Sequence, residues 1–180
     1  AATANNDIGI YGVAPEAHLL GLKSCFYQIE TKSYAICSSW SLAKALDFAI
    51  LEEVDIVNFS LSGPKDNLLT RMINEGQKRE IIFVAATDDR NHQAGFPASL
   101  PNVIAVASAE DLKDNGYSNK QNKNILHAPG QEILSTAPRN KYDFFSGSSL
   151  ATAIVSGSVA LLKEKNPSLS VKEIVNLLKS

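Results

Sequence analysis

Two periods of hydrophobic positions alternate along the chain. Residues 18–23 form a short apolar run and predict a strand. Over residues 39–53, Leu42, Ala45, Leu46, Ala49 and Ile50 recur at helical spacing and share one face. Residues 55–61 predict a second strand, stopped by the turn residues Ser62, Gly63 and Pro64. A helix follows over 67–79, with Leu68, Leu69, Met72 and Ile73 inward. Residues 81–86 are almost continuously apolar, as a parallel strand buried on both faces should be. Another such run, 102–107, comes after Pro97 and Pro101. Beyond a polar stretch, short elements are predicted at 125–128 and 133–136. From Phe145 to Lys165 the sequence stays uncharged as far as Leu162. That segment predicts a central helix, almost fully buried, because none of its faces is polar enough for water. Ser and Gly dilute it too much for a membrane span. After Pro167, residues 171–179 form a last amphipathic helix. The alternation predicts an α/β domain of three layers, a mainly parallel sheet with helices on both faces.

Composition narrows this picture only modestly. The 180 residues suit one domain, 1–180, with a sizeable core. A net charge of −2 gives no basic footprint, so nucleic acid is a poor partner and no membrane is implied. No signal peptide is read at the start of the chain. Cys25 and Cys37 lack zinc spacing; two free thiols are the default reading and a disulfide between them is the alternative. Neither a Gly-x-Gly-x-x-Gly run nor a phosphate loop is present. The element pattern alone would equally suit a generic ligand-binding domain.

The candidate chemistry sits where the central helix begins, at Gly147, Ser148 and Ser149. A serine there is either an N-cap that satisfies an orphan backbone N–H, or a nucleophile beside the positive helix end. The surrounding motifs favour the nucleophile. Gly147-Ser148-Ser149-Leu150-Ala151 resembles the nucleophile motif of the subtilisin-like serine proteases, usually Gly-Thr-Ser-Met-Ala followed by a Pro, here Ala153. Five further landmarks follow in that family's order. They are the Asn5–Pro15 loop, Val57–Pro64, Gly95–Ala98, Val103–Ala107, and Ala128-Pro129-Gly130 with Ser135-Thr136. The resemblance implies a subtilisin-like fold lacking its N-terminal strands, and peptide hydrolysis through an acyl-enzyme on Ser149. It also implies that Ser60, Leu61 and Ser62 bind substrate backbone by strand addition, while Ala85, Ala86 and Thr87 line a specificity pocket. A secreted protein is favoured by the resemblance alone.

The departures from that family shape the expectation. Its nucleophile needs a His base and an Asp that orients it, both earlier in the family's order. None of His18, His92 and His127 is followed by Gly as the family's histidine is, so each reads as structural. Asp7-Ile8-Gly9 falls in the Asn-Asn loop and is rejected as the triad Asp. The chain is therefore expected to be the C-terminal part of a catalytic domain, inactive alone. At the oxyanion position the family has an amide-bearing Asn; here stands Asp88, an acceptor where a donor is needed. Losing that donor costs about 10²–10³ in rate, a magnitude taken from subtilisin itself and not inferred from this sequence.

No cofactor is required. A structural Ca²⁺ is implied only through the family's Asn-Asn loop, with Asn6 as the side-chain ligand beside the carbonyls of Ala4, Ile8 and Ile10. The partner is a peptide or protein substrate. The alternative reading is a pseudoprotease that binds peptides or proteins without cleaving them. In the family fold a central strand would lie between residues 18–23 and 55–61. Its absence implies that those strands close up, that a missing N-terminal segment joins them, or that the chain self-associates, the outcome favoured here.

Overall fold

The structure, a computed structural model, describes residue 2 and residues 4–27, 35–110 and 125–180. Most of the polar stretch expected after residue 107 lies outside the described residues. Strands β1 (Cys25–Tyr27) and β2 (Ala35–Cys37) form an antiparallel ribbon. Helix α1 (Ser39–Leu51), β3 (Ile56–Phe59), α2 (Asn67–Lys78), β4 (Ile82–Ala86), β5 (Val103–Ser108) and β6 (Ile125–Ala128) follow. A second antiparallel ribbon joins β7 (Ile133–Ala137) to β8 (Lys141–Phe145), ahead of α3 (Ser148–Lys165) and α4 (Val171–Lys179).

The central sheet runs β3-β4-β5-β6, and each neighbouring pair is parallel. Alternate residues of its strands face opposite layers, as the period of two requires. Phe83, Ala85, Val103, Ala105 and Ala107 pack with Leu42 and Leu46 of α1 and Leu69 and Ile73 of α2. Ile82, Val84, Ile104 and Val106 pack instead with Ala151, Val155 and Val159 of α3 and Ile174 of α4. Burial on both faces explains why 82–86 and 103–108 contain no polar alternation.

Helix starts follow local chemistry. Ser38 and Ser41 form a reciprocal capping box before α1, and Ser170 with Glu173 does the same for α4. The Ser170 hydroxyl and backbone N–H hold the Glu173 carboxyl below the usual carboxylate range. Asp66 caps α2 through the Leu69 N–H at 2.9 Å; the Ser39 hydroxyl, then that N–H, hold its carboxyl below its ordinary value. Among the described residues, no helix is long and apolar enough to cross a membrane.

Four expectations are corrected, and one strand is added. Leu68, expected on the inward face of α2, is exposed. Residues 18–23 form no strand, and Leu19 and Leu20 are exposed. A strand needs a partner; the family's strand was expected between that run and β3, and among the described residues β3 pairs only with β4. Cys25 and Cys37 are not free thiols: the ribbon register sets them opposite one another and they form a disulfide. Helix α3 is not buried all round; one face lies on the sheet, while Ala153 and Leu161 are exposed. Finally, β8 was not predicted. All five of its residues are exposed, so no core-facing period marks it in the sequence.

Candidate active site

Loops leaving the C-terminal ends of the parallel strands converge on the first turn of α3. Ser60 to Ser62 follow β3, Thr87 to Asp89 follow β4, Ser108 to Glu110 end β5, and Gly130 follows β6. Open parallel sheets place ligands at this end, because loops and helix N-termini gather there. The Ser149 hydroxyl donates to the Ser60 carbonyl at 3.2 Å, and the Ser60 hydroxyl donates back to the Ser149 carbonyl at 3.0 Å. The Asn58 amide holds Ser60 Oγ at 2.9 Å and accepts from Ser156 Oγ at 2.8 Å. This line of contacts fixes the end of β3 against α3.

Behind Ser149 lies a buried polar hub. Ser148 and Thr152 have no exposed surface. Ser148 Oγ lies 3.1 Å from Thr87 Oγ1 and accepts from the Ser108 N–H at 3.2 Å. The single proton of the Thr87 hydroxyl is shared between Ser148 Oγ and the Val106 carbonyl, also 3.1 Å away. Ser148 Oγ in turn donates to one oxygen of Asp89, and the Ser148 N–H donates to the other at 2.9 Å. Glu110 braces the neighbouring loop, accepting from Ser108 Oγ and, at 3.2 Å, from the Gly130 N–H.

Neither serine is the helix N-cap that one reading expected. Gly147 is the cap, with φ 138° and no side-chain cap bond. Asp89 reaches in from another loop and takes the first N–H instead. A Cβ at Gly147 would stand 3.5 Å from Asp89 Oδ2, in a backbone conformation that L side chains rarely adopt. Sequence reasoning missed Asp89. The only signal was the Asp88-Asp89 pair, and motif register pointed to the first of the two.

The sequence profile of the subtilase family matches residues 1–180. The chain belongs to the subtilase family. An intracellular serine protease of Paenibacillus polymyxa is 36% identical over 171 residues, which are 91% of this chain and 51% of that protein. Subtilisin Savinase of Lederbergia lenta is 33% identical over 184 residues, 99% of this chain and 65% of that protein. Among solved structures, sphericase superposes with a TM-score of 0.65 at 28% identity, covering 81% of this chain and 56% of that one. The prenylagaramide maturation protease PagA gives 0.64 at 28% identity, covering 78% and 56%. The chain spans about half to two thirds the length of these relatives.

The other subtilase positions fall as follows. Asp88 is half-buried, and its carboxylate is engaged in its own turn, accepting from the Arg90 N–H at 3.1 Å and Asn91 Nδ2 at 2.8 Å. Ala85 and Ala86 are buried in β4, and Thr87 is buried with its hydroxyl in the hub. Leu61 packs against the α1–α2 side of the core, whereas Ser60 and Ser62 are exposed. His18 and His92 are exposed and His127 lies on β6. Among the described residues, no histidine or carboxylate hydrogen-bonds to the Ser149 hydroxyl.

Among the described residues, the Asn5–Asn6 loop does not make up a Ca²⁺ shell by itself. Asn6 is exposed, and its amide oxygen already accepts from the Ile8 N–H at 3.2 Å. One neutral side chain with loop carbonyls falls short of the six to eight oxygens that Ca²⁺ takes. Among the described residues, no group of three or more His, Cys, Asp or Glu could hold an ion.

Proposed function

We propose that the chain is the nucleophile-bearing part of a serine endopeptidase domain, completed by an Asp and a His outside these 180 residues. The observation that carries this reading is the placement of Ser149. It stands in the first turn of α3, at the positive helix end, with the exposed Ser60–Ser62 segment alongside. In the completed site, Ser149 Oγ attacks the peptide carbonyl carbon and its proton passes to the His. That proton then goes to the leaving amine, and water hydrolyses the acyl-enzyme. Ser60 and Ser62 offer backbone to an extended substrate, and Ala85, Ala86 and Thr87 form the inner wall of its pocket. Asp88 occupies the oxyanion position and supports turnover only when it is protonated or turned out of its loop.

Joining the chain to an upstream segment that carries the Asp and His in family order tests this. The folded fusion should react with a serine-directed phosphonate, and Ser149→Ala should abolish the reaction. A fusion that folds and binds peptide but never reacts would favour the second reading, a pseudoprotease. That reading is favoured by the two carboxylates, Asp88 and Asp89, at the end of the sheet where an oxyanion would form.

We also infer that the chain associates through its sheet edge. Among the described residues β3 pairs only with β4, and residues 18–23 do not close up against it. Bare edges invite pairing with another chain. Trp40, Phe48 and Leu51 add an exposed apolar face on α1. Sedimentation at micromolar concentration should give a mass above that of one chain, and a clean monomer would overturn the inference.

A further inference from the structure

A shallow cleft of about 230 Å³ lies beside the Ser60–Ser62 segment. It is smaller than the roughly 300–1,000 Å³ of small-molecule sites, a size that suits one amino-acid side chain. Its position follows from two contacts. The Gly63 N–H donates to the Phe96 carbonyl at 2.9 Å, tying the loop after β3 to the 93–99 segment. Gly95 then lies between Ser62 and Asp88: a Cβ there would be 3.1 Å from Ser62 Oγ and 3.1 Å from Asp88 Cβ. With φ at 61°, this position also favours glycine on backbone grounds. A glycine at 95 thus lets the segment that lines the cleft pass close to both Ser62 and Asp88.

The lining has a one-sided chemistry. Lys65, Gln93 and Ser99 line it and carry donors, and no lining residue is acidic. Lys65 is the one charged residue of the lining. It forms no ion pair among the described residues. Asp66, next to Lys65 in sequence, and Asp88, beside Gly95, each make hydrogen bonds elsewhere. Asp66 caps α2, and Asp88 accepts from the Arg90 N–H and the Asn91 amide.

We propose that this cleft receives the acidic side chain of a bound peptide, with Lys65 as the residue that selects it. The proposal rests on the peptide-binding reading above. A carboxylate meets Lys65 and the neighbouring donors together, a neutral amide of the same size loses the charge, and a cationic side chain faces Lys65 directly. The pair would be solvent-accessible, so its discrimination is modest, about two- to fivefold in Kd, and fades as salt screens it.

Fluorescein-labelled tetrapeptides Ala-Ala-Ala-Xaa, with Xaa Glu, Gln or Lys, can be titrated against the whole chain and read by anisotropy. The wild type should bind Glu tightest and Lys weakest, with the order compressed in high salt. Lys65→Glu, an exposed substitution whose fold circular dichroism checks, should reverse the order. Equal binding of the three peptides, or an order unmoved by Lys65→Glu, would overturn the selectivity and leave the peptide cleft standing. Binding of none would overturn both.

Discussion

A serine-directed phosphonate should leave Ser149 of the 180-residue chain unmodified, and the chain alone should hydrolyse no peptide. A serine hydroxyl is a weak nucleophile until a base takes its proton. Here that proton is donated to the Ser60 carbonyl, which cannot accept it as a base would. In subtilisin, losing the Ser or the His costs about 10⁶ in kcat, a magnitude from that enzyme that sets the scale for an incomplete triad. Intact-mass spectrometry after prolonged exposure reads the result. Stoichiometric labelling that disappears in Ser149→Ala would show that one of the chain's own histidines serves as base, and the incomplete-triad reading would fall.

Asp89→Ala should be the most damaging change at a surface carboxylate, and more damaging than Asp88→Ala. Asp89 accepts both the hydroxyl and the N–H of the fully buried Ser148. Removing it strands the Ser148 N–H, at about 1–3 kcal/mol for an unsatisfied group, and leaves the Ser148 hydroxyl only Thr87 Oγ1 as acceptor. It also takes an anion from the positive end of α3, about 0.3–1 kcal/mol more. Asp88, by contrast, serves donors in an exposed turn, where water replaces the lost acceptor. Urea unfolding should show a lower midpoint for Asp89→Ala at unchanged slope, with Asp89→Asn intermediate because one acceptor survives. Equal midpoints for the two alanine variants would remove Asp89 from its place as the anchor of the helix start.

What could be read from the sequence was what the core dictates. Strands β4 and β5 announce themselves because both faces are buried, and α2 because Leu69 and Ile73 repeat at helical spacing against them. The Gly-Ser-Ser turn and its place at the start of α3 were equally legible. What was not legible depends on partners that a linear pattern cannot name. The apolar run 18–23 looks like a strand but has no neighbour to pair with. Strand β8 exists only through β7, since its exposed residues carry no burial signal. Helix α3 lacks charge for most of its length, yet Leu161 meets solvent. Asp88 and Asp89 are chemically identical in sequence. The turn between Asp88 and Gln93 decides which one faces Ser148.

The Cys25–Cys37 bond closes a ring over a sequence separation of 12. In the chain-entropy account such a loop contributes roughly 3 kcal/mol by limiting the unfolded chain. That ring abuts α1: the Ser41 hydroxyl, part of the helix's capping box, also donates to the Ser24 carbonyl at 2.6 Å. Oxidation state is thereby written into the order of a helix terminus. In oxidising surroundings the polypeptide carries a covalent clasp that buttresses the start of α1. In a glutathione-rich compartment, or a buffer containing dithiothreitol, it carries two thiols facing each other across an untied ribbon.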